Sequence, residues 1–306
     1  MKRAMRLLAL ALGLTLTLLL SACGDKKTVE TADASTQTAP PVEGVTALTL
    51  CDGQVTLRFA KDESGAWTWQ DDPDFPLDQT ALDELLALPA VLDGGEAVSD
   101  VQELSVYGLA APEKYITVTS DGADVTYYIG EQATDGRWYV LTPDGRVLYT
   151  ADEDKALLSR SVYSMAQLPE LPVITADKLV SVSLLPAEGT AVTFYTDEDG
   201  TRRSGSRDVT DATAALVDEI AALTITACVD YDPAEGAAAV CGLETPAVTL
   251  AVNYTSDGGT DHALTLAVGG STGDGGRYVT IDSGATIYRM EESALAQVLT
   301  LSATGL

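Results

Sequence analysis

The residues that come nearest to a catalytic pattern are Ser271 and His262, the single histidine of the 306-residue chain. Ser271 lies in GGSTG (269–273), which fits the G-x-S-x-G pattern of serine hydrolases. In those enzymes a strand leads into the serine, a helix follows it, and the histidine comes later in the chain. Here ALTLAV precedes the string, RYVTI follows it, and His262 precedes Ser271. The pattern therefore predicts a glycine-rich hairpin loop, and we expect no catalytic residue, no cofactor and no enzymatic activity.

Two acidic loops resemble the EF-hand only in part, because that motif needs oxygen ligands at positions 1, 3 and 5 and glycine at position 6. A loop starting at Asp197 has Gly200 at position 4, and one starting at Asp230 has Ala234 at position 5. The chain also lacks the CxxC and HExxH spacings of transition-metal sites. We therefore expect turns at both loops and no metal site.

Cys51, Cys228 and Cys241 are the cysteines downstream of the N-terminal region. A Cys228–Cys241 disulfide would close a short loop and would persist outside the cytoplasm. Buried free thiols are the alternative, because cysteine packs as a small hydrophobic residue. Both alternatives stay open at this point, although an odd number of cysteines leaves at least one thiol free.

Trp67 and Trp69 alternate on a predicted strand and so share one of its faces. Such a pair can stack on sugar rings or peptides, or it can pack in the core. Core packing is favoured, because aromatic residues on one face of a half-buried strand normally supply that burial.

The N-terminal region has the features of a cleaved leader. Basic residues precede the apolar run Leu7–Leu20, which is fourteen residues long and shorter than the roughly twenty that a membrane-spanning helix needs. The following Leu20-Ser21-Ala22-Cys23 resembles the lipobox of bacterial lipoproteins. The resemblance implies that Cys23 becomes the new N-terminus and carries fatty acyl chains such as palmitate, which bind the lipid bilayer. We therefore expect a signal peptide over 1–22 and a lipid anchor on the extracytoplasmic face of the cell membrane.

The lipidated Cys23 begins a segment, 23–44, that is rich in Thr, Ala and Pro and has no large side chain. Such a segment cannot bury enough apolar surface to offset its ordering entropy. We expect a disordered tether over 23–44, with a folded part that begins at residue 45.

The folded part contains an internal repeat. VYGLAAPEKYITV (106–118) recurs as VCGLETPAVTLAV (240–252), YYIGE recurs as LAVGG, and VLYTADE recurs as TIYRMEE. This alignment places Gly108 on Gly242, Pro112 on Pro246 and Tyr149 on Tyr288. Because the period exceeds that of solenoid repeats, it predicts two similar domains, over 45–170 and 171–306.

Within each repeat, runs of alternating hydrophobicity are separated by turn residues, as is typical of antiparallel hairpins. Helical patterns occur at 77–88 and 152–164, and again at 211–223 and 291–301. The predicted fold class is α+β, with two similar domains that are each a twisted antiparallel sheet of hairpins with covering helices.

The chain is strongly acidic, with 46 Asp and Glu residues against 18 Lys and Arg residues and a formal net charge of −28. Nucleic acid and anionic headgroups should repel such a surface, so we expect no nucleic-acid partner. The charges are spread along the chain, which favours a solubilising surface over a specific cation site.

The repeated YGLxxP, the following strand pair and the leader together resemble a bacterial lipoprotein family catalogued as domain of unknown function 4340. The second copy departs from the motif, with Cys241 in place of Tyr107. The resemblance implies no catalytic residues, and family members often lie beside genes for membrane transporters. It suggests a non-enzymatic accessory or docking subunit with integral membrane transporter components as partners. The alternative is a solute- or glycan-binding lipoprotein that uses a cleft between the two repeats.

Overall fold

The computed structural model of the chain describes residues 39, 40 and 42–306. The predicted signal peptide, Cys23 and most of the predicted tether lie outside the described residues. The backbone amide of Ala39 donates to a carboxylate oxygen of Asp93 at 3.0 Å, and Val42–Gly44 forms a 3-10 turn. The last residues assigned to the tether are therefore part of the fold. Within the described part of the chain, the helices are all too short or too polar to cross a bilayer.

The first half of the described chain forms an eight-stranded antiparallel sheet. Its strands are β1 Val45–Asp52, β2 Thr56–Lys61, β3 Trp67–Trp69, β4 Glu96–Ala97, β5 Lys114–Ser120, β6 Ala123–Gln132, β7 Trp138–Leu141 and β8 Val147–Thr150. Their order across the sheet is β3-β2-β1-β5-β6-β7-β8-β4, so β3 and β4 form the two edges.

The second half forms a nine-stranded antiparallel sheet. Its strands are β9 Leu179–Pro186, β10 Val192–Thr196, β11 Arg202–Ser204, β12 Arg207–Asp208, β13 Ala227–Asp230, β14 Val248–Thr255, β15 Asp261–Ser271, β16 Gly276–Ile281 and β17 Ile287–Glu291. Their order is β12-β11-β10-β9-β14-β15-β16-β17-β13. Apart from the added edge strand β12, the order is that of the first sheet.

Residues of the two sheets are called corresponding when they share a strand rank and a place in the ladder. Leu48 of β1, which pairs with Phe59, corresponds in this sense to Val182 of β9, which pairs with Phe194. All four side chains are buried in the cores.

One face of each sheet is apolar and packs against helices. The helices are α1 Asp83–Asp93, α2 Asp152–Ala156, α3 Ala214–Ala221, α4 Ala237–Val240 and α5 Ala296–Thr304. Leu85 and Leu88 of α1 share a buried cluster with Ile116 of the first sheet. Leu216 and Ile220 of α3 share another with Leu250 of the second. The chain is thus α+β and mostly antiparallel sheet, as predicted, with few helices.

The helices differ in detail from the patterns in the sequence. The helix expected from residue 77 begins at Asp83, after a 3-10 turn in which an Asp78 carboxylate oxygen accepts from the Thr80 amide at 2.9 Å. The helix expected over 152–164 ends at Ala156 and continues as 3-10 turns. There the Ser161 hydroxyl accepts from the Tyr163 amide at 3.3 Å, a local bond that competes with helix formation.

A segment of each half crosses the sheet face opposite the helices. We call residues 104–109 and 238–243 the first and second crossing segments. Each contains a glycine at positive φ, Gly108 at 68° and Gly242 at 69°, a conformation that side chains with a Cβ rarely adopt. This conformation explains the glycine of the repeated YGL and CGL motifs.

A second glycine lies on the strand beneath each crossing segment. A Cβ added to Gly130 would lie 2.1 Å from the carbonyl oxygen of Tyr107, and one added to Gly269 would lie 2.4 Å from that of Cys241. Such distances are far inside van der Waals contact. The glycines of YYIGE and LAVGG therefore allow the crossing segments to touch the sheets.

The expected superposition of Tyr149 on Tyr288 is wrong by one residue. Tyr149 pairs with Tyr139. Tyr288 pairs with Val279, and Arg289 pairs with Tyr278, the residue that corresponds to Tyr139. Because side chains alternate along a strand, this shift places the two tyrosines on opposite faces. The residue that corresponds to Tyr149 is Arg289.

Candidate functional site

Ser271 and His262 lie at opposite ends of one strand. Ser271 is the last residue of β15, and its hydroxyl accepts from the Gly273 amide at 3.2 Å. His262 is the second residue of β15 and stacks on Tyr254 with 5.4 Å between ring centroids. At about 3.3 Å per residue, the two side chains are roughly 30 Å apart along the strand. The string ends β15 and leads into the predicted β15–β16 hairpin loop, and the two residues do not form a nucleophile–base pair.

The acidic loop after β10 is a turn held by its own side chains. Asp197 forms an ion pair with Arg203 at 2.6 Å, and Asp199 accepts from the Thr201 amide at 2.8 Å. Hydrogen bonding shared with the Asp197 carboxyl and donated by the Thr201 side chain lowers the pKa of Asp199. In the described ranges, 39–40 and 42–306, no group of three or more His, Cys, Asp or Glu residues is arranged to hold a metal ion.

Cys228 and Cys241 are free thiols in the structure. Cys228 is buried on edge strand β13, where desolvation and the Asp230 carboxylate raise its pKa to about 11. Cys241 follows α4 directly, and its carbonyl oxygen accepts from the Gly270 amide of β15 at 2.8 Å. Because both thiols are free, the Cys228–Cys241 bridge that the sequence allowed is not formed.

The tryptophan pair of β3 packs inward. Trp67 is buried in the core of the first half. Trp69 contacts Phe75 edge-on, with 5.5 Å between ring centroids. Core packing is thus confirmed for the pair. The Trp69–Phe75 contact is part of a larger aromatic cluster.

This cluster, which we call the junction, joins the two halves through Trp69, Phe75, Tyr163 and Tyr231. Phe75 is only 4% exposed and lies 5.9 Å from Tyr163 and 5.3 Å from Tyr231 between ring centroids. Cys228 belongs to the same buried cluster. Edge strand β13 of the second sheet therefore packs on the β3 side of the first half.

Two hydrogen bonds fix the junction. The Tyr163 hydroxyl donates to a carboxylate oxygen of Asp230 at 3.3 Å, and the Tyr231 hydroxyl donates to the carbonyl oxygen of Asp74 at 3.2 Å. Burial and the Asp230 carboxylate raise the pKa of Tyr163. The alternative function expected from the sequence uses a cleft between the two repeats. At the junction, the two halves are instead in direct aromatic contact.

Sequence reasoning missed the junction because its members come from irregular loops far apart in the chain. Phe75 follows the turn DDPD, and Tyr231 follows the short strand β13. Neither belongs to a periodic run. Their residue type alone could have drawn attention to Phe75 and Tyr231. Large aromatic residues are uncommon in this chain, and both lie among acidic turn residues.

The second sheet has a face opposite its core that the structure leaves uncovered over β9, β10, β14 and β15. We call it the open face. Its residues alternate with the buried ones and are mostly small: Ser181, Ser183, Leu185, Thr193, Tyr195, Thr249, Ala251, Asn253, Ala263, Thr265 and Ala267.

Two shallow depressions lie along these strands, one at the end of the sheet near Tyr254 and one on the open face. One of about 450 Å³ is lined by Val180, Asn253, Tyr254, Asp261, His262 and Ala263. The other, of about 330 Å³, is lined mainly by Ser181, Ser183, Thr193, Tyr195 and Arg203. Both are bounded by surface side chains and have no buried charged group. The open face is therefore better suited to a broad contact than to an enclosed small molecule.

Comparison with known proteins gives one result. A family model described as Domain of unknown function (DUF4340) matches residues 67–235, from the start of β3 to the loop after β13. No curated protein and no solved structure matches the chain in the corresponding searches. The match includes the junction residues of both halves and covers more than half of the chain. The chain therefore belongs to the family described as Domain of unknown function (DUF4340).

Proposed function

We propose that the chain is a membrane-anchored extracytoplasmic lipoprotein that acts as a non-enzymatic accessory or docking subunit of a transporter-like membrane assembly. The leader over 1–22 and the lipobox at Cys23 support the anchor. The resemblance to lipoproteins encoded beside transporter genes supports the choice of an integral membrane partner.

The proposal includes a tandem duplication, with domains at 45–170 and 171–306. The shared strand order supports it, since β12 is the one strand of the second sheet without a counterpart among the described strands of the first. The two crossing segments support it as well, because each requires a glycine in the same two places. These features are structural, so the duplication assigns no chemistry.

The observation that carries the proposal is the filled junction. Proteins that close on a solute use a cleft and a hinge between their domains. Here Phe75 occupies the contact between the halves, and Tyr163 and Tyr231 are hydrogen-bonded across it. A body of this kind presents a fixed surface, which suits a docking subunit better than a binding protein that opens and closes.

The charge indicates the kind of partner. With 46 acidic residues against 18 basic ones, the surface favours a basic extracytoplasmic face on the membrane partner. A lipid anchor with a short tether raises the local concentration of such a partner, so a weak contact can be occupied. Exposed charges are screened over about 8 Å at physiological ionic strength, so the association should weaken as salt rises.

Crosslinking in membranes tests the proposal. We expect the wild type to crosslink to an integral membrane protein at low salt and less at high salt. Cys23→Ala should remove both the detergent-phase partitioning and the crosslink, whereas Ser271→Ala and His262→Ala should leave them unchanged. Equal partitioning of wild type and Cys23→Ala would contradict the anchor. Loss of function in cells from Ser271→Ala or His262→Ala alone would contradict the docking role.

A further inference from the structure

The open face of the second sheet is nearly free of charge. Strands β9, β10, β14 and β15 contain a single acidic residue, Asp261, and no lysine or arginine. The corresponding strands β1, β2, β5 and β6 contain six charged residues. Depletion of charge at the centre of a surface is characteristic of protein interfaces. Because the chain has a net charge of −28, a face with so few charged residues differs from the rest of the surface.

The open face is also uneven from one side to the other. Leu185 of β9 and Tyr195 of β10 are 46% and 44% exposed, and the Tyr195 hydroxyl donates to the Gly205 carbonyl oxygen at 3.4 Å, so its ring leans toward the β11–β12 turn. On the adjacent β14 and β15 the open-face residues are small, with Ala251, Thr265 and Ala267 at the centre. One side of the face therefore has projecting apolar side chains, and the other is a flat floor.

The first sheet does not share this arrangement. The residues that correspond to Leu185 and Tyr195 are Cys51 and Ala60, and the residue that corresponds to Ala267 is Tyr128. The pattern is therefore not required by the fold, since the same ladder is built without it in the other half.

We propose that two copies of the chain associate through this face, packed sheet on sheet about a two-fold axis that runs along the strands between β9 and β14. Such an axis places β9 and β10 of one copy over β14 and β15 of the other. Leu185 and Tyr195 of each copy then rest on the small residues of its partner, so the face is complementary to itself. Small residues let the sheets approach to the usual spacing of about 10 Å.

The size of the face fits a weak dimer. Four strands and three rungs of open-face residues span roughly 20 Å by 20 Å, or about 400 Å² in projection. Stable complexes bury about 800 Å² of accessible surface per partner. Copies confined to one membrane reach a high local concentration, which offsets a weak contact. The proposal needs the anchor described above, but it does not need the membrane partner.

Charge predicts how the dimer responds to salt. Exposed acidic residues lie in the turns at the ends of these strands, including Glu198 after β10 and Asp257 after β14. Lys178 pairs with Asp257 at 2.7 Å, so Glu198 of one copy and Asp261 of the other are the like charges that the two-fold axis brings close enough to repel. Added salt screens this repulsion, so the dimer should strengthen as salt rises. The proposed association with an integral membrane partner should instead weaken as salt rises.

The dimer can be tested with the full chain in membranes by crosslinking two differently tagged copies. Ser183 and Ala251 lie on the same rung and face each other across the proposed axis. Ser183→Cys is placed in one copy and Ala251→Cys in the other, and a short bis-maleimide crosslinker is added, because Cα atoms on sheets about 10 Å apart are too distant for a disulfide. The matched control uses the corresponding residues of the first sheet, Thr49→Cys and Thr117→Cys.

We expect a crosslinked product that carries both tags for the Ser183 and Ala251 pair and not for the control pair or for the parent chain. Its yield should rise with salt. It should fall about tenfold or more with Leu185→Asp, which buries an unpaired carboxylate at the contact. Equal yields from test and control pairs would overturn the proposal.

A parallel thiol-labelling measurement makes a negative result decisive. If Ser183→Cys reacts readily with a water-soluble maleimide and forms no mixed product, the face is open to solvent and the proposal fails. If it is protected but forms no mixed product, another molecule covers the face and the second copy is excluded as its occupant.

Discussion

The ring of Phe75 in the first half packs edge-on against the ring of Tyr231 in the second, with 5.3 Å between centroids and an interplanar angle of 77°. Edge-to-face aromatic pairs of this geometry contribute beyond the area they bury. The contact joins two residues from loops that follow edge strands, and it sets the two sheets in a fixed relation. The proposed docking role relies on this fixed arrangement of the two halves.

Phe75→Ala should loosen the junction. Truncating a buried phenylalanine typically reduces the free energy of unfolding by about 3–5 kcal/mol. Urea denaturation measures the loss, and the rate of Cys228 alkylation reports opening of the junction, because Cys228 lies in the same buried cluster. Phe194→Ala is the matched control, since Phe194 is buried in the separate core cluster of the second half, which does not contain Cys228. If both variants expose Cys228 equally at the same stability, the junction does not open as a separate unit.

Gly130→Ala and Gly269→Ala should destabilise the protein to a similar extent. In each case the new Cβ would meet a backbone carbonyl oxygen at 2.1 or 2.4 Å, so the crossing segment must move. Overpacking of this kind costs about 1–3 kcal/mol. Gly258→Ala serves as the control, because its Cβ would meet nothing closer than 4.0 Å. A large loss of stability for one variant and none for the other would show that the two crossing segments do not contribute equally to stability.

Cys228 should make stability depend on pH at the alkaline end. Its folded pKa of about 11 lies above the ordinary value of 9.0, so the native state holds the proton more tightly than the unfolded state. The contribution is complete below pH 9 and is lost as the pH rises towards 11. The two-unit difference corresponds to roughly 2–3 kcal/mol. Urea denaturation of wild type and Cys228→Ala from pH 8 to pH 11 measures it, and a constant difference between them across that range would contradict the assignment.

The strand content and the hairpins could be predicted from the sequence because they depend on local periodicity. Val125, Tyr127 and Ile129 alternate with polar residues along β6, and all three are buried. The repeated glycines could also be recognised in the sequence. They recur because the φ angles and close contacts at these positions exclude most residues with a Cβ. These features are set within one strand and its immediate neighbours.

The junction and the register of the last strands could not be predicted in this way. Phe75 and Tyr231 are far apart in the chain, and nothing local ties one to the other. Aligning Tyr149 with Tyr288 matched residue type, whereas register depends on the backbone ladder, in which one residue of shift changes the face. The open face was missed because alternating small residues indicate a strand but not what covers it.

The corrected register reveals an exchange of residues between corresponding positions. In the first half, Arg137 forms an ion pair with Asp135 at 2.8 Å and lies 3.8 Å from the ring centroid of Tyr149. In the second half, the position corresponding to Tyr149 is Arg289, which forms an ion pair with Asp274 at 3.2 Å. Gly276 takes the place of Arg137, and the arginine has moved to the neighbouring strand while keeping an aspartate partner.

Gly276→Arg and Arg289→Tyr should therefore compensate each other. Gly276→Arg alone should lower the free energy of unfolding by about 1–3 kcal/mol, because a Cβ there would lie 2.4 Å from the Arg289 Nε. Arg289→Tyr alone should cost about 1–2 kcal/mol, since it also removes the ion pair with Glu291 at 2.6 Å and the hydrogen bond to the Thr226 hydroxyl at 3.0 Å. The double variant recreates the Arg137 and Tyr149 arrangement and should recover most of the loss, with a coupling of about 0.5–3 kcal/mol in a double-mutant cycle. The reverse exchange, Arg137→Gly with Tyr149→Arg, is the matched cycle in the first half. If the effects of either pair of substitutions add within about 0.5 kcal/mol, the two positions do not interact. That result would contradict the proposed exchange between corresponding positions.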